Sequence, residues 1–247
     1  MWSQNGSYPI SPMGSGSPRP RMGHWRDTSS RLAAALVALG LCALSVPGQA
    51  ERVFPAEAIA EWEHHSFTGE TDYELVTVDG RKAVRATCKG GSASGLYLEE
   101  PIDLSETPII EWRWRVDSVY SDINEQSQEG DDFPARIYAV HEPTWLRWKT
   151  RALNYVWASG EPEGSSWQNP FQSRARMVAV NSGPPEDGTQ WQTVTRDLRA
   201  DFRRHHGEVP EELTAIAIMT DCDNHGGSTR AWYGRIRLKS AEERFAD

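Results

Sequence analysis

The sequence predicts an all-β protein: an antiparallel β-sandwich of the jelly-roll type with one short helix. Three observations predict it. Short segments alternate apolar and polar residues with a period of two, turn-forming Asp, Gly, Pro and Asn residues separate them, and strands do not alternate with long helices. Because alternation alone does not determine whether the two sheets close on each other, an open β-barrel is the alternative.

The strands follow one another from about residue 73. Asp79 and Gly80 supply the positive φ angles of a tight turn, which predicts a hairpin between the segments on either side. Loops rich in Gly, Pro and Ser separate the later segments. The predicted strands are residues 73–78, 82–87, 96–99, 109–116, 135–141, 153–158, 176–180, 191–195, 213–219 and 230–238.

Two of these strands show a charged face opposite an apolar one. In both, most residues at every second position are large and apolar, Gly234 being an exception, so those side chains are predicted to enter the core. The predicted inward residues are Trp112, Trp114, Val116, Trp232, Ile236 and Leu238. The predicted outward residues are Glu111, Arg113, Arg115, Tyr233, Arg235 and Arg237.

One helix is predicted between the strands at 191–195 and 213–219. Asp197 can cap its first turn, and Leu198 and Phe202 share a face at the i, i+4 spacing. Gly207 ends it, because glycine readily adopts the left-handed conformation found after a helix.

The first fifty residues are typical of an export signal. A basic stretch at 19–31 precedes an uncharged apolar run at 32–46, and small residues follow it. We therefore predict a signal peptide with an N-terminal extension at 1–50 and a single domain at 51–247. The predicted location is periplasmic or secreted. Translation from Met22 would give a signal of more ordinary length.

The composition of the chain argues against some classes of binding partner. The apolar run is shorter than the roughly 20 residues of a membrane span, so no permanent membrane anchor is expected. The formal net charge of −9 argues against nucleic acid, whose phosphates require a basic surface. Cys88 and Cys222 follow the signal and would meet an oxidising compartment, where they either form a disulfide or remain two buried thiols.

The chain also resembles a bacterial family known as domain of unknown function 3047. The resemblance runs from about residue 62 to 238 and rests on several phrases in the same order: ETDYELV, SASGLY, EWRWRVD, EGDDFPARIYAV, LNYVWAS, SSWQNPF and TDCDN. It implies an exported single domain and no particular reaction. The order of the last elements is similar to that of galactose-binding-like sandwich modules, a likeness of fold that does not fix function.

Candidate residues for chemistry begin with the acidic turn at Asp131 and Asp132. Adjacent carboxylates on an extended segment point to opposite sides, so they cannot form the facing pair of a glycosidase. One of them could act with a distant partner. The alternative is a solvated turn whose carboxylates bond nearby backbone amides.

A second acidic run follows the strand at 213–219. Asp221, Asp223 and Asn224, with glycines after them, resemble the start of a calcium loop, in which oxygen ligands alternate. The pattern departs from an EF-hand at His225, so a calcium ion bound by Asp221 and Asp223 would need other loops. The alternative is a polar turn.

A basic and aromatic patch is predicted if the outward faces of several strands lie in one sheet. It would suit a ligand with hydroxyls and carboxylates, such as an acidic glycan. The alternative is a solvated face with cross-strand ion pairs. The predicted ligand-binding residues are Arg113, Arg115, Asp132, Arg136, Tyr138, Asn154, Asp221, Asp223, Asn224, Tyr233 and Arg235.

Three functions are consistent with these patterns. The first is a module that binds a glycan or another polyhydroxylated envelope ligand, with no established catalysis. The second is a glycan-active lyase or hydrolase that uses Asp131 or Asp132 with Tyr138 or His141. However, residues three apart on a strand, such as Tyr138 and His141, face opposite ways. The third is a structural factor of the envelope with no small ligand.

Overall fold

The computed structural model describes residues 51–143, 149–186 and 190–242. The predicted signal peptide at 1–50 and the alternative start at Met22 lie outside the described residues. Within these ranges no helix is long and apolar enough to cross a membrane.

The described residues form two sheets, which confirms the predicted β-sandwich. The six-stranded sheet contains β1 (Arg52–Phe54), β3 (Asp72–Val78), β4 (Arg81–Lys89), β6 (Ile109–Val116), β11 (Gln192–Asp197) and β13 (Ser228–Lys239). The seven-stranded sheet contains β2 (Glu63–Thr68), β5 (Ala93–Asp103), β7 (Ala135–His141), β8 (Arg151–Ala158), β9 (Ser166–Gln168), β10 (Ala175–Ser182) and β12 (Glu212–Asp221). The helices are α1 (Ala56–Ile59), α2 (Leu198–His206) and a 3₁₀ turn (Gln128–Gly130).

Strand order places sequence-distant segments side by side. The six-stranded sheet runs β11-β6-β13-β4-β3 with β1 beside β13, and the seven-stranded sheet runs β2-β5-β12-β7-β8-β10-β9. The sheets are antiparallel as predicted, except that β10 pairs with β8 in parallel. The chain returns through β9 before it enters β10, so these two neighbours run the same way.

Aromatic rings fill the space between the sheets. Trp112 and Trp114 of β6 are buried, as the alternation predicted. Their rings contact Tyr155 and Trp157 of β8 at centroid distances of 5.3 Å and 6.1 Å. Such contacts add to the free energy gained by burying large apolar surfaces.

The α2 helix forms as predicted. The Asp197 carboxylate accepts the Ala200 backbone N–H at 2.9 Å, and Gly207 ends the helix with a φ of 77°. Leu198 and Phe202 are buried against the core.

The last strand differs from the prediction at two residues. Tyr233 is 1% exposed and lies in the core, whereas Trp232 lies on the outer face. The cause is a register shift in β13 between Tyr233 and Ile236, where one extra residue stands opposite β6. A one-residue bulge reverses which side chains point inward on one side of it. The alternation that correctly places Ile236 in the core therefore gives the wrong face for Tyr233.

The structure contains the Cys88–Cys222 disulfide, with a Cα–Cα distance of 6.1 Å. Cys88 belongs to β4 of one sheet, and Cys222 directly follows β12 of the other. The disulfide therefore connects the two sheets covalently, and the reading of two buried thiols is wrong.

Candidate ligand-binding site

The outer face of the seven-stranded sheet carries two transverse rows of side chains. Each row follows from direct cross-strand pairing, which places its members on one face. The first row, from β2 to β10, is Glu63, Tyr97, Ala217, Tyr138, Asn154 and Met177. The second is His65, Gly95, Met219, Arg136, Val156 and Ala179.

Arg136 is the charged centre of this face. Its Nε donates to Asp221 Oδ1 at 2.9 Å, and its Nη2 donates to Asp221 Oδ2 and to the Asp131 backbone oxygen. Its guanidinium also lies over the Phe133 ring, 4.5 Å from the centroid. Arg136, Asp131 and Asp221 are only 1%, 2% and 1% exposed. The solvated-turn reading of Asp131 is therefore wrong.

Asp132 has different hydrogen-bond partners from Asp131. Its carboxylate accepts the backbone N–H groups of Asn224 at 3.1 Å and His225 at 2.6 Å. Asp132 is fully buried too, so its reading as a solvated turn is also wrong. The two adjacent carboxylates therefore fix different segments.

The carboxylates of Asp132, Asp221 and Asp223 lie within 4.8 Å of one another. The geometry thus brings together two residues of the predicted calcium site and one from another loop. However, Arg136 already pairs with Asp221, and backbone amides already bond Asp132. A calcium ion at this cluster remains a prediction.

Burial shifts the pKa values of the acids in this cluster. It raises the pKa of Asp221 well above its usual range, and the Arg136 guanidinium only partly opposes the shift. Burial likewise raises the pKa of Asp131 and of the half-buried Asp223, the latter with a contribution from Asp132. For Arg136, burial lowers the pKa, but Asp221 and its neighbours raise it overall, so the guanidinium stays charged.

Beside Arg136 lies a set of polar groups with weak partners. Asn154 is fully buried, its Nδ2 lies 3.3 Å from Met177 Sδ, and its Oδ1 has no hydrogen-bond partner among the described residues. Asn169 Nδ2 donates to Asp131 at 3.1 Å and also approaches the Met177 sulfur. The Tyr138 hydroxyl lies 3.3 Å from Met219 Sδ. A thioether is a weak acceptor, so Asn154 and the Tyr138 hydroxyl retain hydrogen-bonding capacity. Asn169 does not, because its Oδ1 also accepts the backbone N–H groups of Phe171 and Gln172.

The other end of the same face is aromatic. His65 contacts Phe67 and Tyr97 at centroid distances of 4.6 Å and 6.4 Å, and Phe67 is 40% exposed. Ala217 lies between Tyr97 and Tyr138, and the small residues Gly95 and Ala215 lie two positions away along β5 and β12. We call this strip of small residues, with Tyr97 on one side and Tyr138 on the other, the trough.

Gly95 cannot be replaced without movement in the sheet. A Cβ there would lie 2.7 Å from the backbone oxygen of Ile218, a distance that real side chains do not adopt. The trough is therefore built into the sheet, because its floor requires glycine at this position.

The predicted patch does not form as one surface. Arg136, Tyr138 and Asn154 lie on the seven-stranded sheet, whereas Arg113, Arg115 and Arg235 project from the outer face of the six-stranded sheet. Tyr233 lies between the sheets, where its hydroxyl accepts the Arg136 backbone N–H at 3.3 Å. The cause is strand order, which alternation within a strand does not reveal.

His141 does not join the cluster. It lies three residues beyond Tyr138 on β7, and its Nδ1 is 2.9 Å from the Glu212 backbone oxygen at the end of the sheet. The sequence reasoning missed His65, Tyr97 and Asn169. His65 lies on β2, whose polar sequence gives no alternation signal, and Asn169 lies in a loop, where no periodicity marks it.

Solved structures similar to this chain share little sequence identity with it. One is a family 11 carbohydrate-binding module of a Clostridium thermocellum cellulosomal cellulase, with 12% identity and a TM-score of 0.44 over 78% of this chain and 95% of that one. A family 30 module from the same organism has 12% identity and a TM-score of 0.43 over 74% and 93%. A xyloglucanase domain of Sinorhizobium fredii has 8% identity and a TM-score of 0.36 over 76% and 98%.

No curated protein matches the chain. A family model described as a protein of unknown function, DUF3047, matches residues 60–237. These residues include both rows of the outer face, the Arg136 cluster and both cysteines of the disulfide. The chain therefore belongs to the DUF3047 family.

Proposed function

We propose that this protein is an exported carbohydrate-binding module that holds a neutral, polyhydroxylated glycan in the trough. The observation that carries the proposal is the row in which Tyr97, Tyr138 and Asn154 share one face, with Ala217 between the two tyrosines. A sugar ring requires both a flat apolar surface and hydrogen-bonding groups beside it, and this row offers both.

The chemistry of the row suits hydroxyl groups. The Asn154 amide oxygen can accept a hydrogen bond, and the Tyr138 hydroxyl can donate or accept one. Asn154 Oδ1 has no partner among the described residues, so a sugar hydroxyl would supply the hydrogen bond that it lacks. The Tyr138 hydroxyl accepts from Arg136 Nη1 at 3.5 Å and donates to the Met219 sulfur, so a sugar oxygen would be a better acceptor for its proton. The Tyr97 and His65 rings offer apolar surface at the other end of the row.

The placement of the acids favours binding over turnover. Hydrolysis of a glycoside needs two carboxyl groups on either side of one bond. Asp131 is held by Arg136 and Asn169, and Asp132 is held by backbone amides of another loop. Both are buried and fixed, a role typical of structural support.

Two features support export. The first is the predicted signal sequence before residue 51, and the second is the disulfide between Cys88 and Cys222, a bond that persists in oxidising compartments. A periplasmic or secreted protein would meet glycans of the cell envelope or of the surroundings.

A panel of neutral oligosaccharides, screened on an array and titrated by calorimetry, tests the proposal. Tyr97→Ala should weaken binding by at least about tenfold, since an aromatic anchor contributes strongly to an interface. Tyr97→Phe keeps the ring and should bind within about threefold of the wild type. Leu75→Ala, at an exposed position on the other sheet, is the matched control and should not change affinity.

Three results would overturn the proposal. Equal binding by Tyr97→Ala and the wild type would remove the trough as the site, and silence across the panel would remove neutral glycans as ligands. Release of reducing ends from a bound oligosaccharide would show that the protein is an enzyme and not a binding module. Arg136→Ala is a poor probe, because it would leave buried carboxylates without their cation.

A further inference from the structure

The outer face of the six-stranded sheet carries a second chemically distinct surface. Trp191 lies across β13 at Gly234, where an added Cβ would be 3.6 Å from the Trp191 ring and 3.3 Å from Arg113 Cβ. Glycine at this position thus lets the indole lie close to the sheet. We call Trp191 with Arg81, Arg113 and Arg235 the platform.

The indole of the platform is fixed in place. The Arg113 guanidinium lies 5.2 Å from the Trp191 ring centroid and that of Arg115 lies 5.8 Å from it, both within the range of cation–π attraction. The Trp191 Nε1 lies 3.3 Å from Asp79 Oδ2, to which it donates a hydrogen bond. A preorganised ring loses little entropy when a ligand packs on it.

The platform has more positive than negative charge. Neither Arg81 nor Arg113 has a carboxylate within ion-pair distance among the described residues. Arg235, whose side chain is 52% exposed, reaches Glu111 only at 3.8 Å. Glu111 is closer to Lys239, at 2.6 Å, and to Arg237, at 3.3 Å.

Arg113 also lies close enough to Arg81 and to Arg235 for their positive charges to act on it. Burial lowers the pKa of Arg113 first, and the charges of Arg81 and Arg235 lower it further. Like charges gathered without a partner cost free energy, and an anionic ligand would relieve that cost. This local excess occurs on a chain whose formal net charge is −9.

We propose that the platform binds the carboxylate groups of an acidic polysaccharide, a polyuronate. Guanidinium groups pair with carboxylates through two parallel hydrogen bonds, and the Trp191 ring provides a surface for the sugar that bears the carboxylate. A polyuronate presents a ring and a charge in every repeat, which matches an indole set among arginines. Nucleic acid is disfavoured, because the acidic chain would repel its denser phosphate charge.

Polygalacturonate and its methyl ester form a matched pair of probes, since esterification removes the charge and keeps the sugar backbone. The wild type should bind polygalacturonate, bind the ester at least about tenfold more weakly, and lose affinity as salt rises. Arg113→Gln and Arg235→Gln should each weaken binding about five- to tenfold, the range for a charge-assisted pair near the surface. Arg203→Gln removes the same charge from the exposed end of α2 and should change affinity less than about twofold.

Several outcomes would overturn this proposal. Equal binding of the acid and its ester would remove the carboxylate as the recognised group. An equal loss of affinity in Arg203→Gln would show that polygalacturonate is attracted only by overall charge. Tighter binding of a single-stranded oligonucleotide than of polygalacturonate would show that the platform is a nucleic-acid site. The trough variant Tyr97→Ala should bind polygalacturonate as the wild type does. The experiments therefore test the platform proposal and the trough proposal independently.

Discussion

At the residue scale, Arg136 determines what the polar end of the seven-stranded sheet can do. It is buried and has carboxylates on two sides, Asp221 and Asp131. A buried charge is tolerated only with close partners, and removal of one partner leaves the other uncompensated. The cluster is therefore a rigid support beside the trough, since its members already bond one another.

The acids of this cluster predict how stability changes with pH. Burial raises the pKa of Asp131 above its usual 3.8. As pH rises above that value the unfolded chain releases this proton, while the folded chain still holds it. Over that window the folded state binds more protons, so the free energy of unfolding falls as pH rises until the raised pKa is passed.

Asp131→Asn tests this reasoning. The variant lacks the titrating proton, so its melting temperature should fall less than that of the wild type as pH rises above about 4. Thermal melts at a series of pH values measure the difference. Asp122→Asn, at an exposed position, makes the same charge change and should reproduce the wild-type slope. Parallel curves for Asp131→Asn and the wild type would contradict the prediction.

At the element scale, the sequence predicts strands well where side chains alternate and fails where the pairing is irregular. The faces of β6 are correct, because its pairing with β11 runs from Ile109 to Trp114 without a shift and the extra residue of the bulge lies in β13. The Trp232 and Tyr233 faces are reversed by the bulge in β13, which leaves no mark on composition. β2 is polar and lies at a sheet edge, so hydrophobic periodicity could not find it.

The disulfide makes an element-scale prediction. Cys88 and Cys222 are 134 residues apart, so their bond restricts the conformational freedom of the unfolded chain over most of the domain. The Cys88→Ala, Cys222→Ala double variant should lose about 4 to 5 kcal/mol of unfolding free energy, as the chain-entropy model gives for a loop of this length. Urea unfolding with and without reductant measures the loss.

The double variant also provides the control for that experiment. The reductant should lower the urea midpoint of the wild type and leave that of the variant unchanged. A midpoint that does not respond to reductant in the wild type would show that the bond adds no stability.

At the scale of the whole molecule, the candidate site depends on contacts that no local pattern contains. Asp131, Asn154, Asn169 and Asp221 come from four separate segments, and the order of β12, β7, β8 and β10 brings them together. Sequence reasoning selected most of these residues by chemistry. It also placed Arg113 and Arg235 in the same patch as these residues. That error arose because long-range pairing decides which sheet each strand joins, and the sequence pattern of a single strand does not reveal it.

The sandwich predicts that its two surfaces act independently. The trough and the platform lie on the outer faces of different sheets, and the packed core of Trp112, Trp114, Tyr155 and Trp157 separates them. Facing sheets are about 10 Å apart, and side chains on both outer faces add to that distance, so one bound sugar cannot contact both sites. A saturating neutral oligosaccharide should therefore leave the Kd for polygalacturonate unchanged within about twofold. Calorimetric titration of polygalacturonate with and without the oligosaccharide measures this, and competition between the two would show that they share one surface.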